Sequence, residues 1–234
     1  MNHNSLSQRR SFFSRAGAGL ASLAAVSGVA FPGKALAKQK AAPTGWQAAR
    51  HEKDDWLDKL PAKHRLVFDT TTFHGFGEAL LYANNFIIAN KTDYGVDSNE
   101  LAIVIIARHG STAFGFNDAM WAKYGKTFAD IAKAQDPHTK EAPTMNIYDA
   151  AGYGVELPSF GSTIGTLAKQ GVQFAVCSMA TGGLAGEVGR RMGVNGDVVL
   201  KELVANLVAN ARMVPAGIVA VNRAQERGYT LVTT

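Results

Sequence analysis

The sequence predicts an α/β fold: a single domain with a mostly parallel sheet of about five strands and helices on both faces. Three observations carry this. Short runs rich in β-branched and aromatic residues recur along the chain: LVF at 66–68, LAIVIIA at 101–107, VQFAV at 172–176, MV at 213–214 and YTLV at 229–232. The second run is apolar without alternation, as in a strand covered on both faces. Between the runs the apolar spacing changes to that of a helix, and strands alternating with helices close through right-handed crossovers into a parallel sheet.

The elements follow in order. Residues 38–61 are polar and rich in Ala, Lys and charge, with Trp46 and Trp56 their only aromatic residues; they read as a tether with a short helix around 50–60. The strand from His64 leads to a helix over 75–91, with Phe76, Leu80, Ala83 and Ile87 on one face. Phe116, Met120 and Tyr124 share a face of a second helix. Residues 136–153, with Pro137, Pro143 and Gly152, read as an irregular insertion, either a lid or a piece of subunit interface. The glycines Gly182, Gly183, Gly186 and Gly189 fit neither GxGxxG nor GxxxxGK[ST] and read as a flexible turn feeding a helix. Leu203 and Leu207 mark a helix over 196–211, and a last helix over 216–227 stops at Gly228. No internal repeat appears at solenoid spacing.

The first 37 residues have a different texture. Arg9-Arg10 precede Ser11-Phe12-Phe13, a weak apolar run of Ala, Gly, Ser and Val follows, and Ala35-Leu36-Ala37 has the small-x-small form of a processing site. The segment resembles a twin-arginine (Tat) export signal, which implies passage through the Tat translocon, cleavage after Ala37 and a periplasmic product. The expected organisation is therefore a signal at 1–37, a tether at 38–61 and an α/β domain at 62–234. The signal holds four basic residues (Arg9, Arg10, Arg15, Lys34) and no acid, so of 24 basic and 19 acidic residues twenty basic remain, and the mature net charge is +1. The high pI belongs to the signal. No basic cluster with interleaved aromatics remains, so nucleic acid is not an expected partner.

In such sheets ligands collect at the carboxyl ends of the strands. The strand exits carry Asp69, Thr70 and His74, then Arg108, His109, Ser111 and Thr112, then Cys177 and Ser178. From these, Asp69, Thr70, Ser111 and Ser178 are candidate ligand-binding residues. Cys177 is the only cysteine, so no internal disulfide explains it. Where the third strand enters a helix, its sulfur would sit near backbone amides and a helix N-terminus, a setting that favours an anion. His109 leaves the second strand as Cys177 leaves the third. If the strands are neighbours, imidazole and sulfur form a Cys-His catalytic pair; the bland reading is a core cysteine and a turn histidine. The six histidines show no HxH, HExxH or Cys-pair spacing, so no metal and no cofactor is expected.

Several short patterns together resemble the DsrE/DsrF-like family: His64 to Asn90 with Asn84-Asn85, the strand leading to His109-Gly110, VQFAVC at 172–177, and VPAGI at 214–218 with QERGY at 225–229. The resemblance spans residues 64–234. It implies a small α/β domain, assembly into a homotrimer or homohexamer and, as in the sulfur-relay members, a cysteine after the third strand that carries a persulfide between a sulfur donor and an acceptor. Cys177 matches that position. The expected function is an exported sulfur carrier. The alternatives are an oligomeric small-ligand binding or interaction module with a structural cysteine, and a protein whose Cys177 responds to redox.

Overall fold

The computed structural model describes residues 45–60 and 62–234. The expected export signal at 1–37 and the opening of the expected tether lie outside these residues. Five strands form one sheet: β1 (His64–Thr70), β2 (Leu101–Ala107), β3 (Gln173–Cys177), β4 (Ala211–Val214) and β5 (Thr230–Thr233). Their order is β4-β3-β2-β1-β5, and every pairing is parallel. β2 lies at the centre because all seven of its residues are buried, as its unbroken apolar run requires.

One face is covered by α1 (Phe73–Tyr94), α2 (Asp118–Ala132), α3 (Ile164–Lys169), α4 (Ser178–Met192) and α5 (Gly196–Ala205). Local chemistry sets their ends. The Thr72 hydroxyl caps α1 by accepting from the Gly75 amide at 2.9 Å, and Gly95 at φ 64° ends it. Asn117 caps α2 in the same way. Phe76, Phe114, Trp121, Phe128, Tyr148 and Phe174 build an aromatic core under these helices, with neighbouring ring centroids 4.9–6.4 Å apart. Each such buried ring contributes roughly 2–3 kcal/mol.

The other face is covered by α6 (Gly217–Gln225) and by a 3-10 segment, Glu52–Leu57. The residues expected as a tether are therefore docked in part. Leu57 is buried against Val67 and Ala220, and the Arg212 guanidinium of β4 lies 4.3 Å from the Trp56 ring centre. A buried Tyr229 hydroxyl donates to the Leu57 carbonyl at 2.8 Å. The few apolar residues of a polar stretch are enough to anchor it where a sheet face is otherwise bare.

Three local expectations are corrected. The glycine run is not a turn: Gly182, Gly183, Gly186 and Gly189 all lie within α4. Each helical glycine costs about 1 kcal/mol against alanine, and packing overrides this. At Gly189 an added Cβ would stand 2.8 Å from the Val194 carbonyl oxygen and 3.0 Å from the Gly196 nitrogen, so its bareness lets α5 close onto α4. The helix expected over 196–211 ends at Ala205. Beyond it Leu207 bridges to Phe116, the Val208 amide donates to the Gly115 carbonyl, and Asn210 at φ 55° turns the chain into β4. The insertion at 136–153 is irregular as expected, yet it is built into the core and is no lid. Asn146 and Tyr148 are fully buried, and the Asn146 amide donates to the carbonyls of Phe114 and Phe116 at 3.0 and 2.9 Å.

Candidate functional site

The carboxyl ends of β1, β2 and β3 lie side by side, because β2 pairs with β1 on one side and with β3 on the other. Side chains alternate between the two faces of a strand. Val67, Ile106 and Ala175 point to the α6 face, so Asp69, Arg108 and Cys177, two residues further on, share it. The expected adjacency of the second and third strand exits is therefore present, and a row of acid, base and thiol runs across it.

Asp69 and Arg108 form a two-pronged ion pair, Nε to Oδ1 at 2.6 Å and Nη2 to Oδ2 at 2.8 Å. The Asp69 hydrogen bond pushes Arg108 further above the ordinary arginine value, partial burial opposes this, and the nearby Cys177 adds a smaller upward push. Gly217 at the start of α6 roofs the pair: a Cβ there would lie 2.7 Å from Arg108 Cβ. Thr70 and Ser111 hold the frame beneath. The Thr70 hydroxyl lies 2.8 Å from the Ile106 carbonyl and 2.9 Å from Ser111 Oγ. Ser111 Oγ accepts from the Arg108 amide at 3.0 Å and lies within donating distance of the Thr70 and Arg108 carbonyls. Both residues are fully buried with their hydroxyls engaged, so they fix the turn after β2 and present nothing to a ligand.

Cys177 is the N-cap of α4, and its Sγ accepts from the Ala180 amide at 3.4 Å. The residue is 6% exposed. Ser178 begins the helix beside it and is half-buried, and the Thr181 hydroxyl donates to the Cys177 carbonyl at 2.8 Å. The fifteen-residue helix directs the positive end of its dipole at this sulfur.

His109 is placed differently from the expectation. It is exposed, sits at φ 57°, and makes no hydrogen bond to Cys177. It lines a cavity of about 330 Å3 with Gly110, Thr112, Ala113, Ile131, Ala180, Gly183 and Leu184. Cys177 is not part of that wall, but its hydrogen-bond donor Ala180 is. Two residues named at the exit of the second strand were given no role in the sequence reading. Arg108 supplies the charge beside the thiol, and the signal for it was an acid and a base at the exits of adjacent strands. Thr112 is 2% exposed and its hydroxyl has no hydrogen-bond partner among the described residues; nothing in the sequence marks it out from Ser111. Among the described residues, no three His, Cys, Asp or Glu side chains gather as a metal-ligand set.

No protein-family model matches the chain, and a search of curated proteins returns no match. Among solved structures, a protein of unknown function, MTH1491 from Methanobacterium thermoautotrophicum, is similar to 74% of this chain over the whole of its own length, with 16% identity and a TM-score of 0.36.

Proposed function

We propose that the chain is an exported sulfur carrier of DsrE-like type that works through Cys177. The observation that carries this reading is the sulfur itself, capped onto the N-terminus of α4 and flanked by the Arg108 guanidinium that Asp69 holds in place. The Cys177 thiolate attacks the outer sulfur of a donor persulfide. The new S–S bond forms as the donor's own S–S bond breaks, the donor thiolate leaves with the electron pair, and Cys177 persulfide remains, with no net oxidation. Amides at a helix start and a fixed guanidinium are donors that an incoming anionic sulfur can meet. Arg108 takes the supporting place first assigned to His109, and the donor enters past Ala180.

Intact mass spectrometry tests the carrier. After incubation with inorganic polysulfide the chain gains one sulfur mass, removable by a thiol reductant and absent in Cys177→Ser. A thiol that stays unmodified until the chain is denatured overturns the reading. A second reading, a small-ligand binding module, is favoured by the cavity beside Ala180 and the unpartnered Thr112 hydroxyl at its wall; it stands if the sulfur stays inert.

Export and assembly belong to the same proposal. Replacing Arg9-Arg10 by Lys-Lys blocks export of a Tat substrate, because recognition reads guanidinium geometry. The exposed Met179 and Ile218 near the carboxyl ends of the sheet are apolar surface for closing a homotrimer or homohexamer. Light scattering that gives a monomer at micromolar concentration removes the assembly.

A further inference from the structure

At the opposite end of the sheet, the start of β1 and the turn before β5 enclose a second cavity of about 510 Å3. β1 is seven residues long, which separates this cavity from the Asp69 end by about 20 Å. Lys63, His64, Arg65 and Arg227 line it, and Leu66 and Phe86 supply an apolar part of the wall; no carboxylate belongs to the wall. The acids that pair with these cations approach from elsewhere: Glu100 meets Lys63 at 2.7 Å, and Asp58 is shared by Arg227 at 2.9 Å, Arg50 at 3.6 Å and Arg65 at 4.0 Å. One carboxylate among three guanidiniums leaves positive charge in excess.

The Arg227 side chain is fully buried. Its Nε is met by Asp58 and its Nη1 donates to the Arg223 carbonyl at 3.2 Å, while Nη2 has no hydrogen-bond partner among the described residues. Buried donors are almost always satisfied, and this guanidinium is left short of one acceptor. Arg65 hydrogen-bonds only to carbonyls, at 3.4 Å each, and lies over the Tyr229 ring.

We propose that this cavity binds an organic anion, a carboxylate or phosphate ester carried on an apolar body. The oxyanion head seats against Lys63 and Arg65, whose side chains are the partly exposed cations of the wall, and the body packs on Leu66 and Phe86. Head and body chemistry both follow from the lining, and the site is independent of Cys177.

Calorimetric titration of the purified chain with phenyl phosphate, phenylacetate and the neutral phenylacetamide tests it. Saturable binding of at least one anion and none of the amide is expected, and the tighter of the two anions names the head group. Lys63→Gln and Arg65→Gln, both on partly exposed side chains, each weaken that binding about tenfold and leave the alkylation rate of Cys177 unchanged. The site is overturned if neither anion saturates, if the amide binds as tightly as phenylacetate, or if both variants bind like the parent. A Cys177 rate that falls in either variant overturns the independence of the two sites.

Discussion

Asp69 and Arg108 are joined across the ends of β1 and β2 by two parallel hydrogen bonds, with the aspartate side chain 7% and the arginine 22% exposed. Such a fork holds a guanidinium in one orientation. Removing one partner leaves the other poorly solvated, so Asp69→Asn costs about 2 kcal/mol. In a urea double-mutant cycle with Arg108→Gln the two changes are strongly non-additive. Additive losses would show that the pair contributes nothing as a pair.

The glycines of the fold divide into two kinds, and alanine separates them. At Gly115 a Cβ would stand 2.5 Å from Val176 Cγ2, inside the sheet–helix contact; Gly115→Ala therefore destabilises by about 1–3 kcal/mol. At Gly186, in the exposed middle of α4, a Cβ meets nothing within 4 Å. Gly186→Ala stabilises by about 1 kcal/mol, the helix propensity difference. Thermal midpoints moving the same way for both variants would contradict this division.

Acid acts through Asp136. Burial pushes its carboxyl up, but the Tyr153 hydroxyl at 2.8 Å and the His138 and Thr139 amides at 2.8 and 3.2 Å outweigh burial and hold it below the usual aspartate value. A lowered value in the folded state adds stability that is present above the ordinary carboxylate range and is lost as pH falls through the folded value. Asp136→Asn thus costs about 1–2 kcal/mol at pH 7, and the gap to the parent narrows below about pH 4. Denaturant midpoints at both pH values check this; a gap that widens in acid would refute the assignment.

Alkali acts through tyrosines. Burial raises Tyr153 and Tyr229 to about 12, and raises Tyr148 as well. Because the folded chain keeps these protons longer than the unfolded one, stability is intact below about pH 10 and declines as pH rises from there through 12. Tyrosinate absorbance from these residues appears together with loss of circular dichroism. Ionisation of all three near pH 10 with the fold intact would be the contrary result.

The sheet was legible because its strands are chemically distinct: LAIVIIA has no polar face to present and ends up buried along its whole length. Helix α4 was not, because four glycines mimic a loop locally, and only the approach of Gly196 shows why Gly189 must be bare. At the site, the pairing of the second and third strands stood only as a condition until the sheet order was seen, whereas the position of Cys177 at a helix start followed from the pattern of runs. The thiol's neighbour did not. His109 and Arg108 are adjacent in sequence, and the choice between them rests on pleat parity: Arg108 keeps the face of Ile106, while His109 turns off at φ 57°. Thr70 and Ser111 looked like ligand donors because polar groups at strand ends usually are, but a tight turn between buried strands needs those hydroxyls for its own carbonyls.

The position of β5 has a consequence in time. It pairs with β1, and beyond it the Thr234 hydroxyl donates to the Gly75 carbonyl, 159 positions away. Until residues 230–233 have been made, β1 has a bare flank with open backbone groups, and none of the earlier described residues pairs with it. The fold is therefore sealed late, by a contact between distant parts of the chain, and its folding is set by the slow search that closes that loop. A nascent chain halted before residue 230 would offer that flank to any passing strand, so the domain is most exposed to mispairing just before β5 emerges.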